Sequence, residues 1–173
     1  MKTRLAAAAF ALGLISSGSF RSEGDVEIYI RTTANSSVGF IHGVYHMALP
    51  DGTSTRPSEY TGSAFMVRDG WIASCRHVLA PWNDDARHRD MFASGAVPVF
   101  TVLTITFPGR SAMDIDPMTI RHSTLVDTAV ARLSTPSDIP ILEMREDGTE
   151  GTGVNAYVLG YPLGVGPLYY RSP

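Results

Sequence analysis

Residues 62–82 read GSAFMVRDGWIASCRHVLAPW, two apolar runs around Arg68-Asp69-Gly70 that end on one histidine. SAFMV and WIASC have strand composition, and Asp-Gly between two such runs is a strong short-range hairpin signal. The stretch predicts a tight β-hairpin whose second strand leads into Arg76-His77-Val78. On its N-terminal side, VGFIHGVYHMAL (38–49) is a longer strand pattern interrupted at Gly43, where a bend or bulge is expected. VPVFTVLTITF (97–107) is dense in β-branched residues. MTIRHS (118–123), TAVARL (128–133) and NAYVLGY (155–161) follow as shorter strands, and VEIYIR (26–31) alternates like one. PDGTSTRPSEYTG (50–62) is turn chemistry, and 80–96 has room for a short helical turn and a surface loop. Helical periodicity is nearly absent. Short strands with glycines for corners predict an all-β chain, folded as an antiparallel barrel or sandwich.

The 173 residues suit one domain, or one domain and part of another. A hydrophobic content of 44% with 18% charged residues fits a core-forming protein. The net charge of −3 and the lack of a basic run give no reason to expect nucleic acid as a partner. Lys2 and Arg4 precede an apolar stretch from Leu5 to Ile15, and small residues follow from Ser16 to Ser19. This is the pattern of a signal peptide over residues 1–19, so an exported protein, periplasmic or extracellular, is expected. The apolar stretch is shorter than the roughly 20 residues a membrane-spanning helix needs, so no stable span is expected after signal removal. Cys75 is the single cysteine and cannot form an internal disulfide. Stability has to come from the core.

His42, His46, His88 and His122 read as structural histidines, and no third ligand at metal-like spacing supports zinc. No cofactor and no metal are expected. His77 stands apart because of its surroundings. Gly62-Ser63-Ala64-Phe65, an apolar run, a turn, then Trp71 to Leu79 resembles the histidine hairpin of chymotrypsin-fold, trypsin-like serine proteases, nearest their bacterial HtrA-like branch. Leu125-Val126-Asp127-Thr128-Ala129-Val130 to Leu133 is similar to the family's strand opened by the catalytic aspartate, and Val154 to Gly164 resembles the first strand of the family's second barrel. Ala64 stands where the family has glycine, and Ser74-Cys75 where it has Thr-Asn or Thr-Ala. The resemblance implies a chymotrypsin-type first barrel over 20–150, a second barrel begun at 151–173 near the acidic-glycine stretch 145–153, and catalytic roles for His77 and Asp127. Asp84, Asp85, Asp114 and Asp116 are rival acids, but all lie in loop-like sequence and none precedes an Ala-Val strand.

The chemistry accounts for the residue types. A serine hydroxyl needs a base within hydrogen-bond reach, imidazole titrates near working pH, and a carboxylate fixes its tautomer. The nucleophile itself is not found. Ser134, Ser137 and Ser172 are the serines after Asp127, and none has the flanking glycines that free backbone N–H groups for an oxyanion. Cys75 reads as a small buried thiol rather than a substitute nucleophile. The expected function is therefore that of an exported serine endopeptidase acting on protein or peptide substrates, present as a fragment without its nucleophile and inactive alone. A second chain or a missing C-terminal half would complete the second barrel. The alternative is a pseudoprotease, a secreted β-barrel that binds protein or peptide without cleaving it.

Overall fold

The computed structural model of the chain describes residues 23–142, 157–161 and 168–171. The signal segment, the stretch 145–153 with the boundary at 150, and Ser172 lie outside the described residues. The chain builds β1 (Val38–Ala48), β2 (Ser58–Arg68), β3 (Trp71–Ser74), β4 (Val97–Thr106), β5 (Met113–His122) and β6 (Ala129–Leu133). These six close into an antiparallel barrel in the order β1-β2-β3-β6-β5-β4, with β4 returning to pair with β1. The all-β barrel expected from the strand pattern is the observed fold.

The opening hairpin forms as its sequence dictates. Arg68 pairs with Trp71, leaving Asp69 and Gly70 as the turn, and Gly70 takes a φ of +68° that a side-chain-bearing residue would resist. The inward faces of the strands alternate as their sequences do. Ile41, Met66, Ile72, Ile105, Phe107, Ala131 and Leu133 form one core cluster, each less than 5% exposed. The expected irregularity near Gly43 is a register shift between Val44 and Tyr45 against β4, where Thr101 is the extra residue. Gly43 itself has a packing role, because a Cβ there would run into the ring of the facing Tyr60.

The stretch 26–31 departs from its expected strand. Glu23–Tyr29 is helix α1, and the helix continues through a π-turn over Ile30–Ala34 into α2, Asn35–Ser37. The six-residue alternation is overridden by a longer pattern. Ile30, Ala34 and Ser37 fall at i, i+4 and i+7 and are all buried, the first two against Val38, Leu142 and Leu159. Glu27 and Arg31 pair across one turn at 2.8 Å, and the Thr32, Ser36 and Ser37 hydroxyls donate back to carbonyls four residues earlier. Asp114 and Asp116 also differ from their expected loop placement, since both lie within β5.

After β3 come α3 (Arg76–Leu79), a 3-10 turn (Pro81–Asn83) and α4 (Ala86–Ala93). Beyond the barrel, β7 (Tyr157–Gly160) and β8 (Leu168–Arg171) form an antiparallel pair. Leu159 packs with Ile30 and Val38, and the Tyr161 N–H donates to Ser63 Oγ at 2.7 Å. Among the described residues no helix is long and apolar enough to cross a membrane.

Candidate active site

The strand leading to His77 is held on both sides, by β2 and by β6. Its last residue, Ser74, donates its hydroxyl proton to the Ser63 carbonyl at 2.7 Å, and both residues are buried. Cys75 is extended and accepts from the Val78 and Leu79 N–H groups, so the chain turns into one helical turn at once. His77 therefore sits in α3 rather than at a strand end. Val78 and Leu79 anchor that turn in the core at 1% and 0% exposure.

Gly62 has a steric reason that its position in the sequence does not disclose. A Cβ at Gly62 would stand 2.5 Å from Val78 Cγ1, and Val78 follows His77 directly. Val78 is β-branched and enclosed, so it cannot step aside cheaply. Gly62→Ala is expected to destabilise the fold by about 1–3 kcal/mol and to displace the turn carrying His77. A urea midpoint unchanged from wild type would contradict that account.

Asp127 enters from the other wall, just before β6. The Ser123 hydroxyl accepts from the Leu125 and Val126 N–H groups at 3.1 and 3.2 Å, and the Ser123 N–H donates to the Thr128 carbonyl, closing a small loop that presents Asp127. Arg76 ties this loop to the one after α3, contacting Asp84 at 3.1 Å and the Ser123 carbonyl at 3.5 Å. Gly62 belongs to the histidine-hairpin motif, but its steric role is not visible in the sequence, and nothing in the residue spacing points to Ser123 as a site-building residue.

The structure brings His77 and Asp127 together. His77 Nδ1 lies 2.6 Å from Asp127 Oδ2, and the His77 backbone N–H donates to Asp127 Oδ1 at 3.1 Å. Each carboxylate oxygen thus has its own donor on the same residue. This fixes the imidazole in position and, with the carboxylate ionised, places its proton on Nδ1. Nε2 is buried and makes no hydrogen bond among the described residues, so it is the ring nitrogen without a partner.

Burial alone would raise the Asp127 pKa, but the His77 backbone N–H, the imidazole and the Arg76 backbone N–H together hold it below the usual carboxylate value. In the unfolded chain it returns to about 3.9. Its contribution to stability is complete above that value and is lost as pH falls through the lower, folded value. Solvent screens the half-exposed carboxylate, so the amount is under about 1 kcal/mol. In urea midpoints measured from pH 6 to pH 3, Asp127→Asn is expected to show the shallower acid decline; parallel curves would contradict the pairing.

Three of the four rival acids have other partners for their side chains. Asp84 pairs with Arg76, Asp85 caps α4 by accepting the His88 N–H, and Asp116 accepts the Met118 N–H. Of the remaining histidines, His42 meets Glu59 at 2.9 Å and His88 meets the Tyr45 hydroxyl at 2.7 Å. Cys75 belongs to the neighbourhood of the pair. Donor atoms of Cys75, His77 and Asp127 lie within 4.8 Å of one another, a set able to approach one cation. Burial, and then the Asp127 charge, push the thiol pKa up, so Cys75 is a thiol rather than a thiolate near neutral pH, which opposes nucleophilic attack. Nor does Cys75 hydrogen-bond to Nε2.

The arrangement is an imidazole oriented through Nδ1, with a buried Nε2 that has no partner among the described residues. No protein-family model matches this chain, and no curated protein matches it.

Proposed function

We propose that this barrel is the histidine- and aspartate-bearing half of an exported trypsin-like serine endopeptidase that hydrolyses peptide bonds in proteins or peptides. The observation that carries the reading is the two-point contact of Asp127 on His77 together with a buried, unpartnered Nε2. In the proposed reaction His77 accepts the proton of a serine hydroxyl at Nε2 as that oxygen attacks the peptide carbonyl, and returns it to the leaving amine. Asp127 holds the acceptor tautomer and stabilises the imidazolium. The serine and its oxyanion donors are assigned to a second barrel, supplied by further chain or by a partner chain.

A pseudoprotease that binds peptide without cleaving it is the second reading. It is favoured by the packing of Leu159 and Tyr161 onto the first barrel and by the lack of any described hydroxyl or thiol on Nε2. Labelling the protein from its natural source with a serine-directed phosphonate, followed by intact-mass measurement, separates the two. A phosphonate adduct on the protein or its complex, lost in His77→Ala, supports the protease. Absence of any adduct on folded native protein would overturn the protease reading in favour of the binding module.

A further inference from the structure

The loop between β1 and β2 and the start of α4 enclose a cavity of about 390 Å3 lined by Thr55, Arg56, Pro57, Ser58, Arg87 and His88. Its polar side chains are donors. Arg56 and Arg87 form no ion pair among the described residues. Thr55 Oγ1 accepts the Met47 N–H at 3.0 Å, which leaves its own O–H proton to give. The Ser58 hydroxyl has no hydrogen bond among the described residues, so it too is free to donate.

His88 completes the set through its tautomer. It is 8% exposed, and its Nδ1 faces the Tyr45 hydroxyl at 2.7 Å. Tyr45 is itself buried among Tyr60, Trp82 and Phe100, and burial followed by the Asp85 charge pushes its pKa up to about 12, so it stays protonated. Its O–H has no other acceptor among the described residues and must donate to Nδ1. The ring then carries its N–H on Nε2, the one donor His88 has left for a ligand. No carboxylate lines the cavity. Asp85, two residues before Arg87, is not among the lining residues and has Oδ1 engaged in capping α4.

We propose that this cavity is a binding site for a tetrahedral phosphoryl oxyanion, either inorganic phosphate or a small phosphate monoester, held between Arg56 and Arg87 with Thr55, Ser58 and His88 donating. Two guanidinium groups, two hydroxyls and an imidazole N–H line one cavity, and an anion with several acceptor oxygens can take hydrogen bonds from all of them. The site uses neither His77 nor Asp127, so it stands or falls apart from the protease reading.

The test is calorimetric titration of the purified chain with inorganic phosphate, with O-phosphoserine and, at matched ionic strength, with nitrate. Both arginines are exposed, so Arg56→Gln/Arg87→Gln is expected to keep the native fold, checked by its near-UV spectrum. Saturable one-to-one binding of phosphate or O-phosphoserine, weakened by about tenfold or more in the double variant, supports the site. Tighter binding of O-phosphoserine than phosphate assigns it to a monoester, and the reverse to the free ion. No saturable binding of either, equal binding of nitrate, or undiminished affinity in the folded double variant would overturn it.

Discussion

If the proposed function holds, His77→Ala in the assembled enzyme is expected to lower kcat for peptide hydrolysis by about 10⁶-fold, and Asp127→Asn by about 10⁴-fold. The second figure follows from the contact geometry. Asp127 uses Oδ1 for the His77 backbone N–H and Oδ2 for the ring. Asparagine has one oxygen, and if the backbone N–H claims it, the amide NH₂ faces Nδ1. Nδ1 then becomes an acceptor, the ring proton moves to Nε2, and the base can no longer take a proton from serine. A loss of about 10⁴ corresponds to roughly 5.5 kcal/mol in the barrier, well above the roughly 1.5–3 kcal/mol a hydrogen bond to a charged group contributes to folding. Single-turnover rates with a chromogenic peptide ester would measure it. A loss of tenfold or less in Asp127→Asn would reduce Asp127 to a structural neighbour of the histidine.

Phe107→Ala is expected to cost about 3–5 kcal/mol of stability, lowering Tm by roughly 10–20 °C. Among the described residues Phe107 is the largest fully buried side chain, at 1% exposure. Its ring and Ile105 fill the space that Gly39 leaves open on β1. Removing the ring leaves a void that rigid barrel strands cannot collapse into, so the cavity cost adds to the lost transfer energy. Against a typical total of about 5–15 kcal/mol, that is a large share. Met118→Ala is the control, because Met118 is 82% exposed and its change is expected to stay within about 0.5 kcal/mol. Similar Tm values for the two variants would mean that this core is not what holds the barrel.

The barrel was legible because its signals are local. Alternation along 38–48, 97–106 and 129–133, and the Asp69-Gly70 turn, each specify one strand face or one reversal within a few residues. His77 and Asp127 were legible through motif resemblance, which registers residue order and not distance. The misreading of 26–31 marks where local pattern stops deciding. Val26, Ile28 and Ile30 alternate, but the choice between strand and helix depended on what Ile30 and Ala34 were to be buried against, and Leu142 and Leu159 lie more than a hundred residues away. Asp114 and Asp116 were hidden as strand residues by Pro117, which reads as a loop marker but sits at the register shift in β5.

By itself the sequence determined most of the barrel strands and the hairpin turn, because these depend on side-chain period and on φ preferences that act over a few positions, and motif resemblance marked the two residues worth pairing. Tertiary structure alone decided the closure of β4 onto β1, the 2.6 Å contact across fifty residues and the approach of Gly62 to Val78. It also decided that Arg56 and Arg87 line one cavity, and the tautomer that Tyr45 imposes on His88. Each of these depends on which distant atoms share a volume, and chain order does not encode that separation.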